Sequence, residues 1–87
     1  MNKNAEQIMY LYVMLEKEIR HTKNISKVGS VIPDYAKTLP DERKKMLDEI
    51  RNFRNQMAHA SPQPQLPENH QEWISFLENE IKNLKKH

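Results

Sequence analysis

The residues best equipped for chemistry sit in a single stretch, Arg51-Asn52-Phe53-Arg54-Asn55-Gln56-Met57-Ala58-His59. Arginine is permanently charged and forks onto phosphate oxygens, asparagine supplies an amide donor that can also hold a neighbour, and histidine exchanges protons near neutral pH. These are the parts of a metal-independent ribonuclease. A base removes the 2′-hydroxyl proton, the freed oxygen attacks the adjacent phosphorus, and cationic donors stabilise the charge that builds on the phosphoryl oxygens. RNA would be cut and DNA spared, because DNA lacks the nucleophile. No acid interrupts the sequence from Ile50 to Pro67, whereas Asp48 and Glu49 stand immediately before it.

The elements that must position this stretch are helices. The chain has 87 residues, 37% of them hydrophobic and 30% charged, with one glycine and no cysteine. That length sets one domain, residues 1–87, with a modest core; disulfides and thiolate metal sites are excluded. Apolar positions Ile8, Leu11, Tyr12, Leu15 and Ile19 repeat every 3.6 residues and predict a first helix from about Asn4 to Lys23, with Asn2 or Asn4 as its N-cap. Met9, Val13 and Met14 widen its apolar surface enough for a second neighbour. From Asn24 to Leu39 the pattern weakens around Gly29 and Pro33, so a connector with one short helical turn is expected, carrying Ile25, Val28, Val31 and Ile32.

A second helix starts near Pro40, with Asp41 and Glu42 in the first turn where the dipole favours negative charge. Its core face is Met46, Ile50, Phe53 and Met57. The segment Ser61-Pro62-Gln63-Pro64-Gln65-Leu66-Pro67 cannot continue that helix and reads as extended. A third main helix runs from about Glu68 to Lys85, with Trp73, Ile74, Leu77, Ile81 and Leu84 on one face. The expected fold is all-α: a small up-down bundle of three main helices plus a short connector helix. Three helices of this size leave an edge that a second copy can cover, so dimerisation into a larger bundle is expected.

On the second helix Arg51, Asn52, Asn55 and His59 point away from the core stripe, and Arg54 lies on its flank. Arg51, Asn55 and His59 succeed one another at intervals of four and share a face. Arg54 and His59 do not: five residues turn a helix by about 140°, so one chain's pair diverges and would have to meet across a two-fold interface or at a frayed helix end near Ala60.

Arg54-Asn55-Gln56-Met57-Ala58-His59 resembles the R-x4-H motif, with a polar residue directly after the arginine, of the HEPN (higher eukaryotes and prokaryotes nucleotide-binding) superfamily. The all-helical pattern and the motif's place at the end of an amphipathic helix extend the likeness beyond those six residues. The resemblance implies an α-helical homodimer with both motifs in a cleft at the two-fold axis. It also implies metal-independent endoribonuclease activity, or an RNA-binding derivative, in toxin–antitoxin, phage-defence or RNA-processing settings, with a cognate antitoxin or other protein partner. On that resemblance Arg54 and His59 are the catalytic pair and Asn55 orients them; Arg51, outside the motif, is a candidate RNA contact by its charge and its place on the same helix. Ser61 occupies the place where one toxin group of the superfamily carries a tyrosine, so regulation through that tyrosine is not implied.

Plainer readings stand beside these. His59 near a helix C-terminus suits the dipole on a solvated face, and Asp48 could hold Arg51 structurally. His21, His59, His70 and His87 show no metal-ligand spacing, so neither metal nor cofactor is expected. Pro64 to Pro67 fits P-x-x-P but reads as a stiff connector, and Lys82, Lys85 and Lys86 as a solubilising helix end. Tyr12 and Trp73 read as core, Tyr10 and Phe76 as outside it.

The net charge of +2 announces neither a nucleic-acid nor a membrane protein, and no apolar run approaches a membrane span. A cytoplasmic protein is expected. The alternative function is a non-catalytic helical interaction or regulatory module docking through the first helix. A DNA-binding dimer is weaker still, since no helix-turn-helix spacing is present.

Overall fold

The computed structural model describes residues 3–26, 30–59 and 64–86, and the regular elements among them are all helices. They are α1 (Lys3–Thr22), α2 (Ile32–Ala36), α3 (Asp41–His59) and α4 (His70–Lys85). The three main helices and the short connector helix are those expected. Asn2, Val28, Gly29, Ser61 to Gln63 and His87 lie outside the described residues, and Pro64 to Pro67 are non-helical.

In α1 the buried positions Ala5, Ile8, Tyr12, Leu15 and Ile19 repeat at intervals of three and four, which keeps one face continuous. The helix ends where Asn24 enters the left-handed region at φ 54°. There the Ile25 N–H donates to the Arg20 carbonyl at 2.9 Å and the Asn24 N–H to the His21 carbonyl at 3.3 Å. This pair of bonds satisfies carbonyls that the helix leaves open, and asparagine tolerates the backbone it requires. Asn4, expected as a cap, lies inside α1 instead.

Ser30 prepares α2, its hydroxyl accepting the Ile32 N–H at 3.3 Å, and Pro33 sits in the first turn where its missing N–H costs nothing. Val31, Ile32, Tyr35 and Ala36 are buried, so the connector belongs to the core. In α3 the buried residues are Leu47, Ile50, Phe53 and Met57. Met46, expected there, is only partly covered. Leu47, on the neighbouring flank, is buried in its place, and α2 packs on α3. A periodic stripe read from α3 alone cannot show that flank. Helix α4 starts at His70, two residues later than expected, because a turn forms first: the His70 N–H and the Asn69 carbonyl are already engaged with Pro67 and with Glu72 and Trp73.

Contacts at the helix ends give the directions. The Asn4 side-chain amide meets His70 Nε2 at 3.1 Å, and His70 Nδ1 meets the Pro67 carbonyl at 2.9 Å. A carbonyl only accepts, so Nδ1 carries the proton and Nε2 accepts from Asn4. The start of α1 is thereby fixed to the start of α4, and Lys23 after α1 shares a recess with Asn83 and Lys86 at the end of α4. The two helices run parallel, with extensive packing between them. Helix α3 runs the other way: Phe53 near its end packs edge-on against Trp73 near the start of α4, with ring centroids 5.5 Å apart.

The apolar cluster draws on all four helices, and Ile8, Leu15, Ile32, Leu47, Ile50 and Leu77 have essentially no exposed surface. Removing one such side chain from water contributes about 1.5–3 kcal/mol. One polar residue interrupts the apolar set. Glu80 of α4, which periodicity places among core neighbours, is 2% exposed. The Tyr35 hydroxyl donates to its Oε1 at 2.7 Å, and Arg43 donates to its Oε2 from Nε at 2.9 Å and from a terminal nitrogen as well. Glu80 therefore ties α2 and the start of α3 to α4.

Burial, and then the hydrogen bond to Glu80 and its charge, hold the Tyr35 phenol well above its ordinary value of 10.0, against the pull of Arg43. The unfolded phenol ionises first as pH rises. The contribution is therefore complete below about pH 10 and is lost as pH climbs towards the folded value. Tyr35→Phe leaves a buried carboxylate oxygen without its donor and should cost about 1–3 kcal/mol at pH 7. Urea unfolding at pH 7 and at pH 10.5 checks both parts: the gap between wild type and Tyr35→Phe should shrink at the higher pH. A gap that is absent at pH 7, or that widens with pH, contradicts the clamp.

Candidate functional site

Tyr12 and Glu16 stand one turn apart on α1 and face α3. With Ser30 ahead of α2, and with Arg51, Arg54 and Asn55 of α3, they line a recess of about 270 Å³. Sites that enclose a whole small molecule typically measure roughly 300–1,000 Å³. A recess of this size suits one charged group of a larger ligand.

Tyr12 organises it. Its ring is buried and carries the Arg54 guanidinium 5.8 Å from the ring centre. The ring's negative face attracts that cation while the planar N–H edges stay available for another partner. Burial first, and then the Glu16 carboxylate, push the Tyr12 phenol up; a hydrogen bond with the Ser30 side chain and the charges of Arg54 and Arg51 pull it back. Three charged groups and one hydroxyl thus gather around a phenol. Among the described residues neither Arg51 nor Arg54 is held by a carboxylate in an ion pair, so Asp48 does not engage Arg51.

Arg51, Arg54 and Asn55 are therefore together, and all three are half-buried. Arg51 and Asn55 lie off the core stripe, as expected, yet are only half-exposed, with Tyr12 and Glu16 of α1 beside them in the recess. Asn52 and His59 do face solvent. His59 is the last residue of α3 and lies one turn beyond Asn55, outside the recess lining. One chain brings the arginines to a shared recess and leaves its own histidine apart from them.

Sequence reasoning did not assign Tyr12, Glu16 or Ser30 to this site. Tyr12 has the spacing of a core residue, and it is one, so its second role under Arg54 was hidden. Glu16 follows Tyr12 by four positions, the spacing that places both on one flank, and this was the available signal. Ser30 carried none, because the path of the connector is set by tertiary packing.

A wider hollow of about 500 Å³ lies between α1 and α4, floored by Leu11 and Ile81 and edged by Glu78, Lys82, Lys85 and Lys86. It lacks the convergence of guanidinium, amide, hydroxyl and carboxylate found beside Tyr12. Among the described residues no group of three or more His, Asp or Glu side chains is placed to hold a metal ion. No described helix is long and apolar enough to cross a membrane.

The Tyr12–Arg54 contact is measurable as a coupling. A thermodynamic cycle of Tyr12→Leu, Arg54→Met and the double variant should return about 0.5–1 kcal/mol of interaction, the range for a half-exposed cation over an aromatic ring. Additivity within about 0.3 kcal/mol would show that the ring does not hold the guanidinium. Compared with family models, with curated proteins and with solved structures, the chain matches none.

Proposed function

We propose that this chain is a metal-independent endoribonuclease of HEPN type that acts as a homodimer, with Arg54 and His59 as the catalytic pair. The observation that carries the reading is the recess itself: Arg51, Arg54 and Asn55 converge there, and the arginines have no carboxylate partner among the described residues. Two guanidinium groups and an amide form a donor set for the oxygens of one phosphodiester, and Arg guanidinium is the side chain best shaped for that contact. Fixing Arg54 over Tyr12 before the ligand arrives reduces the reorganisation left for the reaction.

The chemistry needs a proton acceptor and a proton donor beside that phosphate. In the proposed dimer each site takes His59 from the second chain, which removes the problem of a pair that diverges on one helix. One imidazole accepts the 2′-hydroxyl proton as that oxygen forms its bond to phosphorus. The bond from phosphorus to the 5′-oxygen breaks, and the same imidazole, now protonated, returns that proton to the leaving oxygen. The products are a 2′,3′-cyclic phosphate and a 5′-hydroxyl. The arginines stabilise the additional negative charge on the phosphoryl oxygens during the transfer.

The second reading is a helical interaction module without chemistry. It is favoured by Tyr10 and Val13 of α1, which are 63% and 43% exposed. Purified protein incubated with single-stranded RNA and excess chelator separates the two. The ribonuclease reading predicts cleavage to cyclic-phosphate ends, lowered at least about a hundredfold by Arg54→Ala and by His59→Ala. Intact RNA across varied sequences, or cleavage indifferent to both substitutions, overturns it. A protein partner whose capture survives both substitutions and is lost in Val13→Asp would then support the module.

A further inference from the structure

Glu16 is the one member of the recess that a simple anion site does not explain. A carboxylate among phosphate-binding arginines repels the ligand they attract, and an ordinary surface glutamate in this position would close onto one of them. Glu16 makes no ion pair with Arg51 or Arg54 among the described residues, although all three line the same recess and act on the same phenol. Among the described residues its oxygens have no hydrogen-bond or ion-pair partner. An ionised carboxylate only accepts hydrogen bonds, whereas the guanidinium groups only donate them. A ligand that satisfies the whole recess must present an anion and, immediately beside it, a hydroxyl or N–H donor.

A phosphodiester of RNA has this composition. The 2′-hydroxyl lies next to the 3′-phosphate on the same ribose, and it is the group that lets a protein tell RNA from DNA. We infer that Glu16 is the specificity-determining residue of this recess, accepting a hydrogen bond from the ribose 2′-hydroxyl in the bound ground state while Arg51 and Arg54 hold the neighbouring phosphate; for cleavage that one proton turns from Glu16 to the imidazole. Deoxyribose leaves the carboxylate facing a phosphate with no donor between them, so DNA meets repulsion where RNA meets a bond. The inference rests on the reading of the recess as an RNA site, and it is independent of whether bound RNA is cut.

The test measures binding and uses the whole chain with His59→Ala, so that RNA stays intact. Fluorescence anisotropy with 5′-labelled single-stranded RNA, DNA of the same sequence and 2′-O-methyl RNA is recorded for this protein and for the same protein carrying Glu16→Ala or Glu16→Gln. Thermal unfolding confirms that each variant folds; Glu16 is half-exposed, which favours this. RNA should bind about tenfold more tightly than DNA or 2′-O-methyl RNA, equivalent to one charge-assisted hydrogen bond. Glu16→Ala should abolish that preference, mainly by tightening DNA, and Glu16→Gln, which keeps an acceptor oxygen, should restore part of it.

If Glu16→Ala changes all three affinities by the same factor, Glu16 is a charge only and the inference is wrong. If His59→Ala protein binds no nucleic acid, the RNA reading of the recess falls and takes this inference with it. If ribose preference depends on Glu16 while the His59-containing protein leaves RNA intact, the ribonuclease proposal fails and the assignment of Glu16 stands.

Discussion

A carboxylate carried into an apolar core is destabilising by several kcal/mol unless its oxygens are met by donors, and Glu80 meets this condition only through residues of two other helices. Tyr35 reaches it from α2, and Arg43 reaches it from the first turns of α3. The Arg43 bonds do not survive if α3 slides along α4, and Glu80 Oε2 would then be left uncovered. Apolar packing is less selective, since leucine and isoleucine side chains tolerate small displacements more readily than a buried hydrogen bond does. The register of α3 is thereby fixed near its beginning, and the Phe53–Trp73 edge contact fixes it again near its end. Arg51 lies between these two points, and Arg54 is one residue past the second.

That register decides what faces Tyr12. Helix α1 is bound along α4 and fixed at its start by the bond between Asn4 and His70, so Tyr12 and Glu16 have a set height in the bundle. With α3 antiparallel and in its observed register, Arg54 comes over the Tyr12 ring, and Arg51 comes level with Glu16 in the same recess. A shift of α3 by one turn would put Ile50 or Ala58 opposite Tyr12. The polar recess is thus a consequence of core contacts made elsewhere, and His59, the last residue of α3 and one turn past Asn55, lies beyond its lining.

Much of this was legible in the periodicity. The three long helices declared themselves because their apolar positions recur at 3.6 residues and because Pro40, Asp41 and Glu42 mark a helix start. The connector turn was also visible in Ile32 and Pro33. Leu47 and Glu80 were not, for related reasons. Leu47 is covered by tertiary packing that the periodicity of α3 alone does not reveal, and Glu80 is stabilised by partners 37 and 45 residues distant in sequence. At the site, the cluster Arg51, Arg54 and Asn55 could be read from residue types alone. Tyr12, Glu16 and Ser30 belong to other elements, and only the packing of α1 on α3 brings them to it.

In the proposed dimer the functional unit is composite, with Arg54 and His59 contributed by different chains. Mixing purified Arg54→Ala and His59→Ala proteins, each inactive alone, tests this directly once native mass spectrometry shows that subunits have exchanged. A two-fold dimer with trans sites predicts recovery of RNA cleavage to about a quarter of the wild-type level, because half of the dimers are mixed and each of these has one intact site. Mixed dimers that form but remain inactive would contradict the account.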